Sequence, residues 1–251
     1  MIKSQRLNLI KDYVFQHESV SLEELVQHFD VSMNTIRRDV KDLVDSGVFR
    51  KVYGGVSVNH STLVVFDERK DRNLTKKQEI GHLAAQHVQD GDVIFIDSGT
   101  TTIEMLPFLT DKQITIVTNH FDFIHQAKPY PGLSIFSTGG MFERKTNSFV
   151  GFQSIELLQK YNINKAFIAS TGISLTNGVT NSSPLETDIK STVVQKSSRV
   201  FLLIDDSKFD RYALTTYCSL SDIDVLVTNS MPSNEYIEYA KKHEIELITP
   251  K

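Results

Sequence analysis

The chain has a single cysteine, Cys218, among 251 residues. One cysteine excludes an internal disulfide, a Cys-x-x-Cys redox pair and a cysteine-based zinc site, and leaves a small buried apolar side chain as the expectation. Positive charge is also scarce. Lys and Arg number 27 against 31 Asp and Glu, a formal charge of -4, which excludes a protein that coats nucleic acid by bulk charge and requires any such contact to be local. No apolar run approaches the ~20 residues of a membrane span. The opening "MIKSQRLNLI" is no signal peptide, so the expected compartment is the cytoplasm, with no membrane partner. Internal repeats and low-complexity segments are missing, and without a GxxxxGK[ST] loop a kinase is disfavoured. His82 and His87, like His120 and His125, stand five apart rather than the three or four that place two imidazoles on one helix face. They read as satisfied or exposed side chains, and no metal site is expected.

What is present divides into two parts. In "SQRLNLIKDYVFQHES", Leu7, Ile10 and Val14, flanked by Leu9 and Tyr13, recur at helical spacing. Ser21 with Glu24 three residues later is the reciprocal capping pattern of a second helix, "SLEELVQHF". Ser32 is placed to cap a third, "SMNTIRRDVKDLVDS", with Ile36, Val40, Leu43 and Val44 on one face and Gly47 as its stop. Only "FDVS" separates the second and third helices, which makes the pair a helix-turn-helix. "VFRKVYGGVSV" then gives two β-rich runs around a Gly54-Gly55 link, a hairpin that would form a wing.

Side chains in the N-terminal half of a third helix of this kind reach DNA base edges in the major groove. Ser32, Asn34, Thr35, Arg37 and Arg38 occupy that half, and Lys41, Arg50, Lys51 and Tyr53 are placed for phosphate contacts from the helix end and the wing. The bland alternative is a solvated face with an Arg38 to Asp42 ion pair at i,i+4.

Residues 59–74, "NHSTLVVFDERKDRNL", read as a linker that separates a DNA-binding part, residues 1–58, from residues 75–251. Thr75 with Gln78 looks like another capped helix start. Beyond it, the strand-like runs "DVIFID", "QITIVT", "LSIFST", "NKAFIAS", "RVFLLID" and "DVLVT" alternate with helical patterns. Several have no polar alternation, as suits strands covered on both faces, so the second part is expected to be α/β with a mostly parallel sheet. "SGTTT" follows the first of these strands and leads into a helix. Amides and hydroxyls of Ser98, Gly99, Thr100, Thr101 and Thr102 there suit an anion such as a phosphate monoester. Polar loops at "TNH", "STGG" and "STGISLTNGVTN" should converge at the carboxyl ends of the strands, where open α/β sheets bind ligands. Asp97 is either an acceptor for a sugar hydroxyl or a helix cap. Glu186 and Lys190, four apart, are either a surface ion pair or a polyol-binding pair, and Lys208 in "DDSKF" is either a charge for the phosphate or an exposed lysine.

"VSLEELVQHFDVSMNTIRRDVKDLVDSGVFRKVYGGV" resembles the N-terminal module of the DeoR family of bacterial transcriptional regulators, with Tyr53 where the family often has histidine. The likeness continues through "DSGTTT", Thr118 and Asn119, Gly139 and Gly140 followed by Arg144, "KAFIASTG", Glu186 with Lys190, and "DDSKF", where Asp206 stands in a place often held by histidine. The resemblance implies a winged helix-turn-helix joined to an effector domain similar in fold to ribose-5-phosphate isomerase, in which these residues line a pocket for a phosphorylated sugar. It implies a repressor of carbohydrate catabolism acting as a homodimer or homotetramer, released from operator DNA by that effector and needing no cofactor. The rival reading is a sugar-phosphate isomerase with an appended DNA-binding module, for which Asp97, Glu186 and Lys208 would have to supply acid-base groups.

Overall fold

The protein, described here by a computed structural model that covers residues 2–17, 19–45, 49–58 and 66–250, divides into two compact units at Val64 and Val65. In the first unit the chain runs α1 (Lys3–His17), β1 (Ser19–Ser21), α2 (Leu22–Phe29), α3 (Met33–Asp45), β2 (Phe49–Val52) and β3 (Gly55–Val58). Ile10 and Val14 of α1, Leu25 of α2 and Ile36, Val40 and Leu43 of α3 close over Phe49 and Val56. Leu9 lies off that stripe and is exposed. Asp30 ends α2 in the left-handed region, at φ 49°, which reverses the chain so that α3 can begin at Met33.

Three local expectations change in detail. Ser21 Oγ accepts the Glu24 amide at 3.1 Å, but the Glu24 carboxylate takes the Tyr13 hydroxyl at 3.0 Å, so only half of the reciprocal cap forms. The competitor is β1, a strand too short to read from "SVS", in which Ser21 pairs with Gly55. That strand also moves Gly55 out of the hairpin link. Tyr53 and Gly54 make the turn, with Gly54 at φ +72°, while Gly55 pairs with Val52 and lies so close to β1 that a Cβ would stand 2.3 Å from the Val20 carbonyl oxygen. Ser32 caps α3 as expected, accepting the Thr35 amide at 3.3 Å. Gly47 lies outside the described residues.

Residues 59–65 of the expected linker also lie outside the described residues, and the rest of that stretch is built into the second unit. Phe66–Lys70 is a short helix, α4, with Phe66 buried. The next helix, α5 (Leu74–Ala85), starts earlier than Thr75 and Gln78 suggest, with Asn73 at its N-cap in the left-handed region and without a side-chain cap. Its carboxamide is used elsewhere, donating to Asp205 at 3.4 Å.

The elements that follow are β4 (Val93–Ile96), a 3-10 helix (Thr102–Phe108), β5 (Ile114–Thr118), α6 (Phe121–Ala127), β6 (Leu133–Ser137), β7 (Met141–Glu143), β8 (Ser148–Val150), α7 (Phe152–Leu158) and β9 (Ile163–Ala169). Then come β10 (Gly172–Ser174), β11 (Gly178–Asn181), α8 (Pro184–Lys196), β12 (Ser197–Leu203), β13 (Thr215–Cys218), β14 (Val225–Val227), α9 (Asn234–Lys242) and β15 (Glu246–Ile248). Seven strands make one sheet in the order β15-β14-β12-β9-β4-β5-β6, and every pairing in it is parallel. The six expected strands are there, and β15 is an addition. "STGISLTNGVTN", expected as a polar loop, instead contains the hairpin β10-β11, which pairs onward to β13. Alternate residues explain the unbroken apolar runs. Ile94 and Ile96 face a core with α5 and α6, while Phe95 faces one with α7, α8 and α9. Phe167 and Phe201, opposite each other on β9 and β12, stack at 4.7 Å in the middle of the sheet.

The charge pairs of the first unit generate a prediction. Asp39 is buried and accepts Arg6 Nε at 2.6 Å, tying α3 to α1, whereas Asp42 pairs with Lys3 at 2.8 Å between two exposed side chains. Asp39→Asn is expected to lower the thermal midpoint distinctly, and Asp42→Asn to leave it nearly unchanged. Circular dichroism melts of both variants check this, and equal shifts would refute it.

Candidate functional site

Two sets of residues stand out, one in each unit. On α3, Asp39 of "RRD" turns inward, so the helix must send Arg37 and Arg38 outward, and both are exposed. Asp42 is held by Lys3, and among the described residues neither guanidinium has a hydrogen bond or ion pair, so the i,i+4 pair of the bland reading does not form. Ser32, Asn34 and Lys41 are exposed beside them, Thr35 is partly buried, and the hairpin presents Arg50, Lys51 and a fully exposed Tyr53.

In the second unit the strand order sets the site. From β4 the sheet grows through β5 and β6 to one side, then the chain returns to place β9, β12, β14 and β15 on the other. The carboxyl ends of β4 and β9 therefore flank a topological switch point, where adjacent loops diverge and leave a crevice. Asp97 ends β4 there. Its Oδ2 accepts the Ala169 amide at 3.0 Å and pairs with Lys190, whose ammonium also donates to the Ala169 carbonyl at 2.9 Å. Asp97 is thus neither a helix cap nor half of a surface pair.

Glu186 and Lys190 do share a face of α8, as their spacing predicts, but the face is buried and they bind different partners. Ser183 and Pro184 start α8, and in its first turn Glu186 accepts Ser98 Oγ at 2.7 Å, Ser148 Oγ at 3.1 Å and Asn181 Nδ2 at 3.2 Å. Asn119 Nδ2 donates to Ser98 Oγ and to the Phe149 carbonyl, each at 3.4 Å. One network therefore joins the ends of β4, β5, β8 and β11 to α8. Gly99 makes it possible, since a Cβ there would stand 2.4 Å from the Ala169 Cβ.

The other expected residues divide. Thr100 and Thr101 are buried beside the network, and among the described residues their hydroxyls have no protein partner. The Thr102 hydroxyl is consumed by the Asp97 and Gly99 carbonyls at 2.7 and 2.9 Å, and that of Thr118 by the Ile96 carbonyl and the His120 amide. Gly139 and Gly140 shape the turn after β6, both at positive φ. Arg144 is exposed on the turn between β7 and β8, outside the network. Lys208 is partly buried, and burial with the nearby charges of Arg72, Arg69 and Arg211, partly offset by Asp205, leaves its pKa lowered to about 8. The neighbouring Asp206 carboxylate is taken by Lys76 at 2.7 Å.

Sequence reasoning missed four contributors. Ser148 and Asn181 hold Glu186 and were invisible because β8 and β11 come to α8 only through the tertiary fold. His120, read as satisfied or exposed, is fully buried at the end of β5 with neither ring nitrogen hydrogen-bonded, its ring edge-on to Phe66 at 5.2 Å. Its position directly after Thr118 and Asn119 was the available signal. Arg69, from the stretch read as linker, is the fourth. Among the described residues, six buried side-chain polar atoms lack a partner, and five of them are Asp97 Oδ1, Asn119 Oδ1, both His120 nitrogens and Arg69 Nε. Buried polar groups are normally satisfied, so these atoms are a concentration of unmet hydrogen-bonding capacity around one crevice.

Residues 6–62 match the DeoR-like helix-turn-helix domain and residues 72–230 the DeoR C terminal sensor domain. The chain is 42% identical to the HTH-type transcriptional regulator IolR of Bacillus subtilis, over 97% of this chain and 98% of that one. It is 31% identical to the L-fucose operon activator of Haemophilus influenzae, over 96% and 97%, and 28% identical to the HTH-type transcriptional repressor GlcR of Bacillus subtilis, over 99% and 96%. Among solved structures it is similar to ribose 5-phosphate isomerase A of Methanocaldococcus jannaschii, at 18% identity over 55% of each chain and a TM-score of 0.41.

The burial of His120 has a consequence in acid. Burial, partly offset by Asp97 and Asp122, lowers its pKa to about 4 from the ordinary 6.5. As pH falls through that window the unfolded chain takes up a proton that the folded chain refuses, so stability is lost between pH 6.5 and 4, by up to roughly 3 kcal/mol. His120→Gln is expected to make the fall in thermal midpoint from pH 7 to 4.5 shallower than in the parent protein. Parallel profiles would show that His120 titrates normally.

Proposed function

The chain belongs to the DeoR family and is a transcriptional regulator rather than an enzyme, and from that premise we propose that it represses a carbohydrate catabolic operon and is released from operator DNA by a phosphorylated sugar. The observation that carries the sensing half is the set of open hydrogen-bonding atoms of Asp97, Asn119 and His120 at the switch point, beside the free hydroxyls of Thr100 and Thr101. Carboxylate, amide and hydroxyl groups of this kind suit the hydroxyls of a polyol, and Lys208 supplies charge for its phosphate. The exposed, unpaired Arg37 and Arg38 carry the DNA half. In this reading Ser32, Asn34, Thr35, Arg37 and Arg38 face the major groove and Lys41, Arg50, Lys51 and Tyr53 meet phosphates. A homodimer or homotetramer in the cytoplasm would present two such surfaces to paired half-sites, supplying locally the positive charge that a net -4 denies the chain as a whole.

The operon we propose is that of myo-inositol catabolism, with a phosphorylated keto-deoxy-gluconate intermediate as effector. "KVYGGV", "FIDSGTTT", "NSFVG" and "KYNINKAF" resemble the repressor of that pathway, and the identity to IolR supports the same reading. Effector bound at the crevice would shift the population towards an arrangement that no longer spans both half-sites.

Operator affinity measured by fluorescence anisotropy, with and without the keto-deoxy-gluconate phosphate, tests this reading, and the ligand is expected to weaken binding. Proven ligand binding with unchanged operator affinity would overturn the direction of control. Alanine substitution then separates the two arginines. The one at a base edge should cost about 1–3 kcal/mol and relax specificity, and the one at a phosphate should lower the salt slope by about one. Loss of neither on either substitution would remove α3 from the DNA.

A further inference from the structure

Arg69 is the residue the sensing scheme leaves unexplained. It stands on α4, the first element after residues 59–65, and three contacts fix that helix in the second unit. Phe66 is buried with its ring edge against His120, the Phe66 amide donates to the Lys145 carbonyl at 2.9 Å, and Lys77 reaches from α5 to donate to the carbonyls of Arg69 and Lys70 at 2.5 and 3.3 Å. An ammonium at those carbonyls closes the C-terminal end of α4. The backbone of Arg69 is therefore held, and its guanidinium lies over the Phe66 ring, 5.8 Å from the centroid.

Arg69 Nε is buried without a partner, and among the described residues the guanidinium has no hydrogen bond or ion pair. The opposite charges that act on it through space are those of Glu186 and Asp97. Both are already engaged, Glu186 by Ser98, Ser148 and Asn181, and Asp97 by Lys190 and the Ala169 amide. Other cations are near, for the charge of Arg69 disfavours that of Lys208, and Lys77 feels both. Lys208 likewise has no hydrogen bond or ion pair among the described residues. Burial and this crowding leave the Lys77 pKa lowered to about 7 and that of Lys208 to about 8. Two cationic side chains that feel carboxylates only through space and bond to none among the described residues, gathered beside the crevice, are an arrangement that an oxyanion would complete.

We propose that Arg69 clamps the anionic group of the effector side-on through its Nε and a terminal nitrogen, with Lys208 as the second charge. The proposal rests on the reading of the crevice as a sensor site and adds to it the residue that anchors the ligand. A planar guanidinium offering two parallel N–H groups matches two oxygens of a phosphate or a carboxylate, which a lysine at the same place does not. It also places the anchor on the element nearest in sequence to the DNA-binding unit, so that occupancy of the crevice orders a side chain of the segment leading from that unit.

Full-length protein, Arg69→Gln and Arg69→Lys are compared in three measurements. These are the thermal midpoint without anion, the midpoint shift in sodium phosphate against sodium chloride at equal ionic strength, and the dissociation constant for the keto-deoxy-gluconate phosphate. The parent protein is expected to be stabilised by phosphate and to bind the ester. Arg69→Gln is expected to lose the phosphate shift and to weaken ester binding at least tenfold, while melting close to the parent without anion, because the cation it removes has a ring contact but no hydrogen bond or ion pair among the described residues. Arg69→Lys should weaken the ester by a smaller but measurable factor. A lowered midpoint for Arg69→Gln would indicate a structural role and overturn the proposal, as would equal ester binding by the parent and either variant, which leaves the sensor reading intact. Phosphate binding that depends on Arg69 without binding of the ester would uphold the anchor and remove the proposed effector, and a parent protein that binds neither would end both.

Discussion

The buried pair of Asp97 and Lys190 is the constraint on which the sensor unit depends. Taking two charges out of water costs several kcal/mol each, and their attraction offsets that only with good geometry and further hydrogen bonds. Both conditions are met by one residue of the neighbouring strand, since Ala169 gives its amide to Asp97 and its carbonyl to Lys190. The pair thereby fixes the end of β4, the end of β9 and the middle of α8 relative to one another. It also spends one oxygen of Asp97 and leaves the other buried without a hydrogen-bond partner. The same interaction that holds the switch point together limits what that carboxylate has left for a ligand.

Around this pair, charge is sorted by role. Glu186 is held by three neutral donors and Asp97 Oδ2 by a cation and an amide, while Asp97 Oδ1 and Asn119 Oδ1 stay without a partner. Among the described residues neither Arg69 nor Lys208 makes an ion pair. In the first unit the sorting runs the other way. The carboxylate of "RRD" is buried against Arg6 and both arginines are exposed. In each unit, then, an acidic side chain is used for architecture, while Arg37 and Arg38 in the first and Arg69 and Lys208 in the second make no ion pair among the described residues.

Much of this was legible because it depends on local chemistry. Helical spacing located α1, α2 and α3, the apolar runs located six of the seven strands of the large sheet, and the run of glycine and hydroxyls after β4 marked the loop that meets Glu186. The misreadings share one cause. β1 and β15 are three residues long and are strands only because β3 and β14 pair with them. Thr75 looked like a cap, but Asn73 holds the N-cap position and makes no side-chain cap there, its carboxamide donating instead to Asp205, far along the chain. Thr102 and Thr118 carried the right chemistry, yet nearby carbonyls had already taken their hydroxyls.

By itself, the sequence determined the helix-turn-helix with its exposed arginines, the α/β class of the second unit and the loop at residues 98–102, since turn chemistry, capping and periodicity act over a few residues. Only the tertiary structure decided that Asp97 meets Lys190, 93 residues away, rather than capping a helix. It alone placed Glu186 and Lys190 inward with separate partners, left His120 buried and unbonded, and brought Arg69 from the expected linker to the edge of the crevice. Strand order is the physical reason. Which strand ends lie side by side is set by long-range pairing and by burial on both faces of the sheet, and no local pattern encodes it.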